Sequence, residues 1–132
     1  MKLISKSLFV LFTLVFLSSC DLGDDQETCY YVAGVGTTAV TGPETADVNE
    51  EISFNVTFKV AGSCGSFLQF FEAETGNEIK ITVNAKYDSC DCDGVEATRT
   101  AVYKFKATSP GIYKLIFKKT NTEFITKTIT VE

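Results

Sequence analysis

The sequence predicts an all-β antiparallel sandwich of about seven strands, set behind an amino-terminal export segment. Apolar residues alternate with polar ones over several segments, and turn-forming residues separate those segments at roughly ten-residue spacing. No window beyond residue 20 keeps a helical period for about three turns, so helices that could cross over a parallel sheet are not expected.

The chain opens with Lys2 and Lys6 and continues with an uncharged apolar run from Leu8 to Leu17. A transmembrane helix takes roughly 20 apolar residues, so this run reads as the apolar core of a secretion signal. Leu17-Ser18-Ser19-Cys20 follows directly. These four residues resemble the lipobox of bacterial lipoproteins, where small side chains admit the signal peptidase and the thiol accepts a diacylglycerol. The resemblance implies a lipoprotein signal peptide over residues 1–19 and palmitate-type acyl chains on Cys20, which becomes the first residue of the mature chain. Each buried methylene stabilises membrane attachment by about 0.8 kcal/mol, so two or three acyl chains anchor a domain stably where one holds it only marginally.

Residues 20–28 form a lipidated tether, acidic through Asp21, Asp24, Asp25 and Glu27 and unable to bury a core of its own. Such a cluster just after the lipidated cysteine looks like the surface-export signal of lipoproteins in the Bacteroidota. The location expected from these features is the cell envelope, lipid-anchored at the outer membrane, with exposure to the medium if the export signal acts.

Residues 29–132 suffice for one domain with a single core. Of 12 basic residues two precede Cys20, leaving 10 against 17 acidic ones, a net charge of −7 for the mature chain. Nucleic acid is therefore an unexpected partner, because its binding draws on clustered Lys and Arg. Anionic lipid is disfavoured in the same way, which leaves the acyl chains as the membrane contact. The chain has no histidine, which removes the commonest general base and zinc ligand and every triad built on imidazole.

Four cysteines remain besides Cys20, namely Cys29, Cys64, Cys90 and Cys92. In an oxidising compartment they read as two disulfides, each contributing on the order of 3 kcal/mol. A bridge between Cys90 and Cys92, across one residue, is strained. One of that pair is therefore expected to reach Cys64 and the other Cys29, in either combination.

Along the folded part, Tyr30 to Val32 and Thr38 to Thr41 are short strand candidates ahead of the Gly42-Pro43 turn. The clearest strand follows, with Ile52, Phe54, Val56, Phe58 and Val60 alternating against Ser53, Asn55, Thr57 and Lys59. Gly62 to Gly65 breaks it, and Phe67 to Phe71 is a weaker candidate with aromatics on both faces. After Thr75-Gly76-Asn77, Ile79, Ile81, Val83, Ala85 and Tyr87 repeat the two-residue period. Asp93-Gly94 precedes a candidate over Ala101 to Ala107 with Tyr103 and Phe105 inward. Ser109-Pro110-Gly111 then introduces Tyr113, Leu115 and Phe117, and Thr120-Asn121 introduces Ile125, Ile129 and Val131.

Ser109-Pro110-Gly111-Ile112-Tyr113-Lys114-Leu115 resembles the corner of immunoglobulin-like and fibronectin-like sandwiches, where a tyrosine hydroxyl folds back on the preceding turn. The resemblance implies that architecture over roughly residues 36–132 and no particular activity. Leu115 stands where antibody domains carry a cysteine, and there is no tryptophan, so the inter-sheet disulfide of those domains is absent. The chain is also similar to small lipoproteins of flavobacterial type, through Gly62-Ser63-Cys64-Gly65 with Phe67 and Phe71, Ala85 to Cys92, and Phe124 to Val131. That likeness implies location and fold alone.

Asp88, Asp91 and Asp93 are the best metal candidates, because Asp91-Cys92-Asp93-Gly94 has the core of a calcium loop. The helix–loop–helix register fails, placing Ser89 in the first ligand position and Thr100 where a bidentate glutamate belongs. Turn residues beside a disulfide account for the segment, and no metal or cofactor is expected. Cys90-Asp91-Cys92 lacks the usual two-residue spacing of redox motifs and reads as structural. Asn55-Val56-Thr57 reads as an outward strand position, although it fits the glycosylation sequon. Phe67, Phe70, Phe71, Tyr30 and Tyr31 fit either an aromatic surface for a protein or glycan partner or, the more expected case, a strand packed on both faces. The expected function is a non-catalytic envelope binding module. An accessory subunit of an envelope complex is the first alternative and a small carboxylate hydrolase the second.

Overall fold

A computed structural model describes residues 29–88 and 91–132, and the expected signal peptide (residues 1–19) and the expected tether (residues 20–28) lie outside the described residues. The described chain is all β, in nine strands: β1 (Tyr31–Val35), β2 (Thr37–Thr41), β3 (Thr45–Ala46), β4 (Glu51–Val60), β5 (Gly65–Thr75), β6 (Glu78–Tyr87), β7 (Ala97–Lys106), β8 (Gly111–Lys118) and β9 (Phe124–Val131). They form two sheets. In the larger, β6 pairs β5 on one side and both β1 and β8 on the other, and β9 and β3 continue outward from β8. The smaller sheet is β2-β4-β7.

The two-residue period dictates the packing. Phe54, Val56, Phe58 and Val60 of β4 are buried while Ser53, Asn55 and Lys59 are exposed, as alternation on a half-buried sheet requires. Across from them lie Ile81, Val83 and Ala85 of β6, Leu115 and Phe117 of β8, and Ile129 and Val131 of β9, all in one core cluster. Tyr103 of β7 meets Phe117 edge-on at 5.6 Å, and Phe105 meets Tyr113 at 5.4 Å, bridging the two layers.

Three expectations need correction. The sandwich is not wholly antiparallel: β6 pairs β8 in parallel, Glu78 against Lys114 through Ile81 against Phe117, and β3 pairs β9 in parallel. Residue alternation fixes which face a strand buries but carries no information on strand direction. Here the β5–β6 hairpin puts its second strand beside β8, so the two run the same way. Secondly, β3 adds a strand that the sequence does not signal, because two residues cannot display a period. Thirdly, β5 runs to Thr75, well past Phe71. A bulge between Phe67 and Gln69 resets its alternation, so Phe67 and Phe70 share the inner face and Phe71, opposite Thr82, turns outward at 59% exposure. The sequence pattern is broken at that inserted residue.

Candidate functional site

Two regions carry chemistry. At one end of the sandwich the β4–β5 turn, the β6–β7 loop and the start of the described chain come together. Cys64 and Cys92 are disulfide-bonded there with Cα atoms 5.6 Å apart, so Cys92, of the two expected partners, is the one that reaches Cys64. Cys29 is disulfide-bonded as well. Cys20 and Cys90 lie outside the described residues.

Around the bridge, polar groups clamp the turn. An Asp93 carboxylate oxygen accepts from the Ser63 amide at 2.9 Å and from the Val95 amide at 3.2 Å. The Ser63 amide is the main cause that holds the Asp93 carboxyl below the usual aspartate range. Arg99 reaches the same turn from β7, donating from Nη2 to the Ser63 carbonyl at 2.9 Å and from Nε to the Gly65 carbonyl at 3.3 Å. The Ala61 amide donates to the Tyr87 hydroxyl at 3.2 Å, and the Tyr87 ring stacks on Tyr31 at 4.4 Å. Gly62 turns the chain with φ of 84°, and a Cβ there would stand 2.7 Å from the Cβ of Cys92.

The three calcium candidates do not converge. Asp88 pairs with Lys86 at 3.0 Å, and that hydrogen bond raises the lysine's pKa. Asp93 is committed to the turn, and Asp91 is exposed. Among the described residues no group of three or more His, Cys, Asp and Glu side chains is placed to hold a metal ion. The aromatics divide between the two readings: Phe67 and Phe70 pack against the core, while Tyr30, Tyr31 and Phe71 are half-exposed or more.

The second region is the open side of the sandwich, where β5 and β7 are the outermost strands of their sheets. Phe70 meets Tyr103 edge-on at 5.2 Å. Farther along β5, Glu72 and Glu74 pair in register with the core residues Ile81 and Ile79, which sets their side chains on the interior face, yet both residues are exposed. Burial, then the charge of Glu72 and a hydrogen bond to it, raise the Tyr103 phenol well above its ordinary pKa. Sequence reasoning missed this pair, because the bulge conceals which face each glutamate occupies. Its only signal was two acids at alternate positions after an aromatic run.

No protein-family model, curated protein or solved structure matches this chain. Glu72 and Glu74 sit side by side on one strand, an arrangement suited to attracting positive charge. The clamped turn is suited to holding loops in one conformation. A further open cavity of about 300 Å³ lies at the other end, lined by Thr45, Ala46, Asp47, Glu50 and Glu132. There the Glu50 carboxylate accepts from the Asp47 amide at 2.8 Å and caps the β3–β4 turn.

Proposed function

We propose that this chain is a lipid-anchored envelope lipoprotein of the Bacteroidota type, whose immunoglobulin-like sandwich serves as a non-catalytic binding module. The observation that carries the reading is the succession of Lys2 and Lys6, an uncharged apolar run and Leu17-Ser18-Ser19-Cys20. The Cys64–Cys92 bridge supports it, since disulfides persist in oxidising compartments. The immunoglobulin-like part draws support from Tyr113, whose hydroxyl donates to the Ser109 carbonyl at 3.0 Å in the manner of a tyrosine corner. The parallel β6–β8 pair is a departure from that likeness.

In this reading, residues 1–19 are removed and Cys20 carries the acyl chains. Residues 20–28 then let the sandwich stand off the membrane by at most about 30 Å, at 3.3–3.6 Å per extended residue. The acidic tether directs the protein to the outer membrane and toward the medium. A protein or glycan is the expected partner class, and nucleic acid is not.

Labelled palmitate fed to expressing cells tests the anchor. Incorporation that disappears in the Cys20→Ala variant is expected, and absence of label from the unmodified chain would overturn the assignment. Protease treatment of intact cells then reads the orientation: loss of the domain places it outside, and protection places it in the periplasm. The accessory-subunit alternative gains from the long open edge of β7. Whole-cell cross-linking separates the two, giving one dominant neighbour for a subunit.

A further inference from the structure

We propose that the open edge of β7 receives an extended segment of another envelope protein as a fourth strand of the smaller sheet, with basic side chains of that segment turned toward Glu72 and Glu74. This deepens the reading of a binding module, and rests on it, by naming the place and the partner's chemistry.

Sheet edges present rows of backbone donors and acceptors, and proteins ordinarily guard them with bulges, short strands or inward charge. Most described edges here are guarded. The strand β3 has two residues, β1 and β2 have five each, and β2 carries a bulge between Thr37 and Ala39. The strand β5 carries its own bulge as well as the inward Glu72 and Glu74. By contrast, β7 is ten residues long, contains no proline, and keeps an unbroken register with β4 from Glu51 against Lys106 to Val60 against Ala97. Its one inward charge, Arg99, is committed to the Ser63 and Gly65 carbonyls near the start of the strand and leaves the stretch from Ala101 to Lys106 without one. No described strand pairs with its other edge. Its outward charges are Lys104, tied to Glu51 at 2.7 Å, and Lys106.

The unequal sheets make the edge a site. Six strands face three, and the interior side of β5 beyond Phe70 is left uncovered. A strand added beside β7 would lie about 4.8 Å from it and face β5 across the gap. Its inward side chains would meet Phe70 at one position and Glu72 and Glu74 at the next ones. Neither glutamate is in an ion pair among the described residues, whereas Glu51, Glu78, Glu96 and Glu123 each have a lysine. Two adjacent carboxylates without a cation, beside an open ladder, select an extended segment with Arg or Lys at alternate positions. On the outer face Lys106 disfavours the same segment docked the other way up, where Lys104 is already tied to Glu51 and offers it no carboxylate. Main-chain hydrogen bonds supply affinity in this mode and alternate side chains supply specificity.

The experiment is a titration of the full-length chain with a nine-residue peptide in which threonine alternates with valine in one half and with arginine in the other. Hydrogen exchange of the β7 amides reports where it binds. Saturable binding is expected, with protection confined to residues 97–106. The exposed double substitution Glu72→Lys with Glu74→Lys is expected to weaken binding by roughly tenfold or more, and to favour a peptide with glutamate in place of arginine. Thermal unfolding of that variant controls for its fold. Binding indifferent to the reversal, protection elsewhere, or no saturation at millimolar peptide would overturn the proposal. So would self-association that protects β7 without peptide, since it would give the edge to a second copy. Palmitate labelling is blind to all of these results, so anchor and edge fail separately.

Discussion

The Tyr113 hydroxyl donates to the carbonyl of Ser109 at 3.0 Å, tying the first residues of β8 to the turn that leads in from β7. The ring lies against Phe105 at 5.4 Å, so the hydrogen bond and the packing hold the same corner. Removing only the hydroxyl in Tyr113→Phe keeps the packing and is expected to cost about 1 kcal/mol, the usual net worth of one hydrogen bond. A urea titration should show a lower midpoint at unchanged slope. An unchanged midpoint would mean the corner contributes nothing to stability.

The Cys64–Cys92 bridge closes a sequence separation of 28 residues. Restricting a loop of that length in the unfolded chain stabilises by about 3–4 kcal/mol. The Cys64→Ala, Cys92→Ala double variant, which leaves Cys29 untouched, should lose about that much in chemical unfolding. Retained stability would show that the Asp93 and Arg99 clamps hold the loops without the bridge.

Gly62 is the backbone condition for that bridge. With φ of 84° and the Cys92 Cβ 2.7 Å from where its own Cβ would be, Gly62→Ala meets both a left-handed penalty and a contact that must yield. The conformational part alone costs about 1–2 kcal/mol. A lower thermal midpoint, together with faster reduction of the disulfide, is the expected outcome.

Asp93 links stability to acid. Its carboxyl is held below the ordinary value of 3.8, first by the Ser63 amide, so the folded state favours the ionised form. That stabilisation is present above the unfolded pKa and is lost as pH falls below about 4 through the folded value. Asp93→Asn should flatten this part of the stability profile between about pH 5 and pH 2 in thermal scans. An unchanged slope would assign the acid sensitivity to other carboxylates.

The residues determined a great deal unaided. Alternation in Ile52 to Val60 and Ile79 to Tyr87 identified the two central strands and their buried faces, because a strand's side chains can take only two directions. Ser109-Pro110-Gly111 with Tyr113 likewise announced a corner that the hydrogen bond realises. Local chemistry of this kind is written in neighbouring residues. The tertiary structure alone decided what depends on distant ones: that Cys64 takes Cys92, that β6 and β8 run parallel, and that Glu72 and Glu74 turn to an uncovered interior face. A periodic pattern is unchanged when a strand reverses direction or trades neighbours. A single inserted residue in β5 moves every later side chain to the opposite face, so these outcomes were settled only when the two sheets packed.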